Sequence, residues 1–148
     1  MWLIREYSAS DLSGCRALID SNTPAYFADY EPDELVDDLN HRATLPPSKR
    51  WPYFVLETAG VIRACGGYYI DASGQGVLLW GMVHADDHGK GLGRALLQYR
   101  LRHMAQKTTK VAIDTTPKAF GFYQKAGFIQ TGFEADGYQP GMDKVLAL

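Results

Sequence analysis

Cysteine is scarce in this chain, and the two present, Cys15 and Cys65, show no metal-ligand spacing. No metal site is expected. The thiols fall in a helix-like and a strand-like segment, and reduced, buried cysteines suit a cytoplasmic protein. Charge of one sign is lacking too. The formal net charge is -2 with 22% of residues charged, so nothing in the overall balance calls for nucleic acid or an anionic membrane. No apolar run approaches the roughly 20 residues of a membrane span, and the N-terminus lacks the basic-then-apolar pattern of a secretion signal. With 148 residues the chain holds one domain with a sizeable core and is too short for two ordinary ones, so residues 1–148 are read as a single domain.

The most informative stretch runs from Val77 to Lys107. Val77-Leu78-Leu79-Trp80-Gly81-Met82-Val83 has the length and the bulky, branched content of a buried strand. His88-Gly89-Lys90-Gly91-Leu92-Gly93 then sets a glycine at every second residue, immediately before the helix formers Arg94, Ala95, Leu96, Leu97 and Gln98. Strand, glycine loop and helix start follow one another. Glycine leaves such a loop free to converge its backbone N–H groups, and the first helical turn adds unpaired donors and the positive end of the macrodipole. Together they favour an anion such as a phosphate.

A P-loop would need Gly-Lys-Ser/Thr at the helix start, whereas the chain has Gly91-Leu92-Gly93-Arg94 with no hydroxyl for magnesium. A dinucleotide fingerprint would need a sixth-position glycine, and counting from Gly89 that position is Arg94. The stretch instead resembles the pyrophosphate loop of the GNAT superfamily of acetyl-CoA-dependent N-acetyltransferases, Gln/Arg-x-x-Gly-x-Gly/Ala after a strand ending in a Val-x-Pro-like segment. Val83-His84-Ala85 and His88 to Gly93 take those places, with His88 where Gln or Arg is usual and Ala85 where Pro is common. Phe122-Tyr123-Gln124-Lys125-Ala126-Gly127-Phe128 is similar to a second family segment, Phe-Tyr-x-Lys-x-Gly-Phe. The resemblance implies acetyl-CoA as cosubstrate, bound by Met82, Val83, His88, Gly89, Lys90, Gly91, Leu92, Gly93 and Arg94, and Tyr123 as the general acid that protonates the departing CoA thiolate.

Around that stretch the elements follow a mixed α/β order. Trp2 to Tyr7 reads as a first strand, Asp11 onward as a helix capped by Ser8 or Ser10, and Glu31-Pro32-Asp33-Glu34 as the acidic first turn of a second helix. Tyr53 to Glu57 and Val61 to Ile70 flank the hairpin signal Thr58-Ala59-Gly60. Beyond the long helix come a short strand at Lys110 to Asp114, a helix from Pro117 ended by Gly127, and tail segments at Ile129 to Phe133 and Lys144 to Leu148. The family likeness implies a GNAT fold: a mixed, mostly antiparallel sheet of about six or seven strands, splayed between the fourth and fifth, with about four helices. Gly81 in mid-strand is compatible with a bulge or with close approach of a ligand.

The connection holding Tyr26, Phe27, Tyr30 and Glu31 lies where the family likeness implies contacts to the acceptor, and aromatic faces beside carboxylates suit an amine. The base is not fixed by sequence. The strand before the loop has no Asp or Glu from Val77 to Val83, leaving Glu57, His84, Glu31 or ordered water. The expected activity is direct transfer of acetyl to a primary amine of a small molecule or peptide. A non-catalytic acyl-CoA-binding module and transfer of a longer acyl group are the alternatives, and homodimerisation, common in that family, is the expected self-association.

Overall fold

β-Branched and aromatic residues concentrate where strands form, and the turns between them take the residues their geometry demands. The computed structural model describes residues 1–148. In chain order it contains β1 (Leu3–Glu6), α1 (Leu12–Ser21), α2 (Glu31–Thr44), β2 (Tyr53–Thr58), β3 (Val61–Ile70), β4 (Gly76–Val83), α3 (Leu92–Met104), β5 (Val111–Thr115), α4 (Pro117–Lys125), β6 (Gln130–Gln139) and β7 (Met142–Ala147). The β2–β3 hairpin turns on Ala59 and Gly60 at φ 50° and 79°, a two-residue loop whose twist matches that of its strands. Pro32 sits in the first turn of α2, where its missing N–H costs nothing.

One seven-stranded sheet results, in the order β1-β2-β3-β4-β5-β7-β6. Every neighbouring pair is antiparallel except β4 and β5, which run parallel. That parallel pairing is brief: Gly76 faces Val111 and Val77 faces Ala112, and from Leu78 onward the two strands part. At the paired end Gly76 leaves no room for a Cβ against the Met104 sulfur, so the end of α3 presses onto the sheet there. The other end of the split stays open.

Helices cover both faces of the sheet. Residues of β2 alternate between them: Tyr53 and Val55 pack with Cys15, Leu18, Ile19, Leu35 and Leu39 of α1 and α2, while Phe54 and Leu56 pack with Leu92, Leu96, Leu97 and Met104 of α3. All four β2 residues are buried, so this strand is covered on both sides. Each such side chain contributes about 1.5–3 kcal/mol through burial.

The register of β3 and β4 slips once. Cys65 faces Met82 and Gly67 faces Leu79, so Trp80 and Gly81 together oppose Gly66 in a β-bulge. Trp80 takes a left-handed backbone, φ 45°, at a cost of about 1–2 kcal/mol. Its neighbours hold it. The indole Nε1 donates to Asp38 Oδ2 at 2.8 Å, and the buried Tyr53 hydroxyl donates to the Trp80 carbonyl at 2.8 Å. The long helix, read from sequence as running from Gly91 to about Lys107, ends at Met104, and β6, read as Ile129 to Phe133, continues to Gln139.

Candidate active site

Where β4 leaves β5, the sheet opens into a cleft of about 1100 Å³. The glycine loop stands at one end. Gly89 and Gly91 have φ values of 79° and 84°, and no atom lies within 4 Å of where either Cβ would be, so both are selected by backbone conformation. The first backbone bond of α3 runs from Ala95 N–H to the Gly91 carbonyl at 3.1 Å, leaving the N–H groups of Leu92, Gly93 and Arg94 without a backbone partner. Gly93 is different. A Cβ there would stand 3.3 Å from Val83 and 3.4 Å from Phe122, so this position is selected for close packing of α3 against β4 and α4.

Side chains around the loop fix its course. His88 Nε2 and Asn22 Nδ2 both hydrogen-bond the Val83 carbonyl, at 3.0 and 2.8 Å, tying the end of β4 to α1. The His88 ring also meets Tyr26 edge-on at 5.3 Å. Lys90 Nζ pairs with Asp87 Oδ1 at 3.0 Å, and Leu92 is buried in the core under α3. Neither Lys90 nor Leu92 lines the cleft, whereas His88, Gly89, Gly91, Gly93 and Arg94 do. Met82 packs in the core against α1 and, with Val83, also lines the cleft.

One wall is acidic and aromatic. Tyr26, Phe27, Tyr30 and Glu31 all line it, with Glu34 and Asp38 following one and two turns along α2. Glu31 is 8% exposed and accepts from the Ala28 N–H at 2.7 Å. Burial raises its carboxyl, the Ala28 N–H opposes this, Glu34 and Asp114 add to it and Lys144 subtracts, leaving it pushed up to about 7. Opposite, Asp114 of β5 accepts from the Tyr138 hydroxyl at 2.6 Å; burial and this carboxylate push the Tyr138 phenol well above the usual range.

Tyr123 of α4 lies between Phe122 and Phe128, with edge-on ring contacts at 5.1 and 5.9 Å. Its hydroxyl has no hydrogen-bond partner in the chain, and the residue lines the cleft. Thr116, at the start of α4, has a buried Oγ1 with no partner, also in the cleft wall. The remaining base candidates lie elsewhere. Glu57 is paired with Arg5 at 3.0 Å between β2 and β1, and His84 accepts from the Asp86 N–H at 3.1 Å in the turn after β4.

A family model for the acetyltransferase (GNAT) domain matches residues 49–130, more than half of the chain. The chain belongs to the GNAT acetyltransferase family. Solved structures share the fold of this GNAT acetyltransferase along nearly its whole length. A GNAT-family protein from Desulfovibrio desulfuricans superposes with a TM-score of 0.85 at 18% identity, covering 99% of this chain and 97% of that one. The ribosomal-protein-S18-alanine N-acetyltransferase of Escherichia coli gives 0.78 at 17%, covering 99% and 92%. Ard1 from Thermoplasma volcanium gives 0.78 at 20%, covering 99% and 95%. At these identities the likeness is one of fold. No curated protein sequence matches the chain.

GNAT acetyltransferases use acetyl-CoA, and the free N–H groups at the start of α3 have the chemistry that a pyrophosphate requires. No group of three or more His, Cys, Asp and Glu side chains is placed to hold a metal ion, and no helix is long and apolar enough to cross a membrane. Sequence reading of this GNAT domain passed over several cleft residues: Asp38, Asp114, Thr116, Tyr138 and Arg100. Most are scattered polar residues with no local signal. Arg100 had one, since it falls on the buried row Leu92, Leu96, Met104 at four-residue spacing.

Proposed function

We propose that residues 1–148 act as one catalytic domain that transfers acetyl from acetyl-CoA directly to a primary amine of a small molecule or peptide. One observation carries this reading. A single cleft through the split sheet is lined by anion-ready backbone donors at one end, the unpartnered Tyr123 hydroxyl, and the Glu31 carboxyl pushed up to about 7.

The backbone of Gly89 to Arg94 holds the pyrophosphate, and the pantetheine arm runs along the unpaired part of β4 toward the bulge. An acceptor enters along α2 as an ammonium, drawn by Glu34, Asp38 and Asp114 and by the faces of Tyr26, Phe27 and Tyr30. Glu31 takes its proton, being ionised above about 7 and basic enough there to be a useful acceptor. The amine lone pair then forms the N–C bond at the thioester carbonyl carbon and the C–S bond breaks. The departing sulfur takes the Tyr123 proton; the second proton, shed by the nitrogen as the amide forms, passes through solvent to the Tyr123 phenolate, and Glu31 returns its own to solvent. No side chain needs to carry the acetyl group: Cys15 and Cys65 are fully buried away from the cleft lining.

The test is thiol release from acetyl-CoA against a panel of amines, amino acids and short peptides, with CoA binding measured alongside. Turnover on one acceptor class establishes the transferase and names its substrate class. Tight CoA binding without turnover on any acceptor favours a non-catalytic CoA-binding module.

A further inference from the structure

Arg100 is a cation in the wrong place for a neutral acyl group. It is 3% exposed, lies on the core-facing row of α3, and pairs with no carboxylate; the ion pairs of the chain all involve other residues. Its Nη1 donates to the Gly67 carbonyl at 3.2 Å, and its Nε is buried with no partner. Two glycines make room for it. A Cβ on Gly66 would stand 2.9 Å from Cζ, and one on Gly81 only 2.7 Å from Nη2. Gly81 belongs to the bulge, where β4 has left β5, and Arg100 is among the residues that line the cleft.

A buried guanidinium with one hydrogen bond is desolvated and under-satisfied. Setting an acetyl methyl against it removes more water and returns nothing. A carboxylate returns a charge-assisted pair, and the side-on edge, a buried Nε with Nη2, is the one that makes no hydrogen bond in the chain. Leu78, Leu96 and Ile113 line the cleft on this face of the sheet and supply apolar contact for a short methylene stem.

We propose that the acyl pocket selects a CoA thioester of a short dicarboxylic acid, of the malonyl or succinyl class, whose free carboxylate pairs with Arg100. This rests on the transferase reading and replaces its acetyl donor with a carboxyacyl one. The thioester reacts as before: the amine takes the carboxyacyl group and the distal carboxylate stays ionised throughout.

Binding measured by calorimetry needs no acceptor. Malonyl-CoA and succinyl-CoA are compared with isovaleryl-CoA, which replaces the malonyl carboxylate by an isopropyl group of similar shape, and with acetyl-CoA. The wild-type protein is expected to bind a carboxyacyl-CoA about ten- to a hundredfold more tightly than isovaleryl-CoA. Arg100→Met abolishes that ratio and Arg100→Lys retains part of it, with affinity for CoA itself unchanged. Equal or weaker binding of both carboxyacyl thioesters by the wild-type protein overturns the proposal without reference to any variant and leaves the transferase reading standing. Failure of every CoA thioester to bind overturns both.

Discussion

Replacing Glu31 by Gln tests the chemistry of the cleft and the physics of its burial at once. Carrying a buried carboxyl from its ordinary 4.5 to about 7 is worth about 3 kcal/mol at most, at roughly 1.4 kcal/mol per pH unit. Screening by water at the cleft mouth trims this to about 2 kcal/mol. The sign follows from the direction. A carboxyl raised in the folded state favours folding most below pH 4.5, where it is neutral in both states, and that contribution is lost as pH rises through about 7. Glutamine has no charge to bury. Urea unfolding at pH 8 should therefore find Glu31→Gln more stable than the wild-type protein by about 2 kcal/mol, with the gap closing toward pH 5. Activity should move the other way. With one acceptor held fixed, kcat/KM of the wild-type enzyme should rise through pH 7 and level off, while the variant loses about 10²–10⁴-fold and the limb near 7 disappears. A variant that keeps the wild-type rate and the same rise refutes Glu31 as the base. A variant whose stability gap does not vary with pH refutes the burial argument.

Tyr123→Phe keeps the ring contacts to Phe122 and Phe128 and removes only the hydroxyl, so kcat should fall about a hundredfold or more with CoA affinity unchanged, as read by thiol release and calorimetry. Gly81→Ala puts a methyl 2.7 Å from Arg100 Nη2 and should cost about 1–3 kcal/mol in urea unfolding; unaltered stability would show that the guanidinium is not held against the bulge. Cys15 and Cys65 are both 0% exposed, and the interaction with Cys65 together with burial pushes the Cys15 thiol up, so a thiol reagent should label them only at the rate of unfolding. Fast labelling under native conditions would contradict that packing.

Local signals made the β2–β3–β4 meander and the glycine loop legible. Ala59-Gly60 turns where the hairpin rule requires, and Gly89 and Gly91 take the left-handed angles that a sharp loop needs. The splay of β4 from β5 came through family likeness, because two strands parting after Val77 leave no trace in the alternation of either. The extension of β6 was hidden for a plain reason. From Glu134 to Asp136 its residues are exposed, so no apolar face marks the strand, and register there is set by Asp136, whose N–H donates to Asp143 and whose carboxylate accepts from Gly141.

The site was half legible along the same lines. Tyr123 and the loop sit in compact motifs, whereas the charge that helps raise Glu31 comes from Asp114, far away in sequence and brought near only by the sheet order. Trp80 is a poor former of left-handed backbone, and nothing adjacent announces that it will adopt one. The pattern around it does: Gly66 on one strand and Gly81 on the next clear a slot under the bulge, and Arg100 on the core row of α3 fills it. Glycine in paired strands weakens both by about 0.5–1 kcal/mol per residue, and an unpaired arginine in a core is costly as well. Either alone reads as a defect of packing. Together, facing a cleft built for an acyl group, each supplies what the other lacks, and what remains unsatisfied on the guanidinium is an edge shaped for a carboxylate.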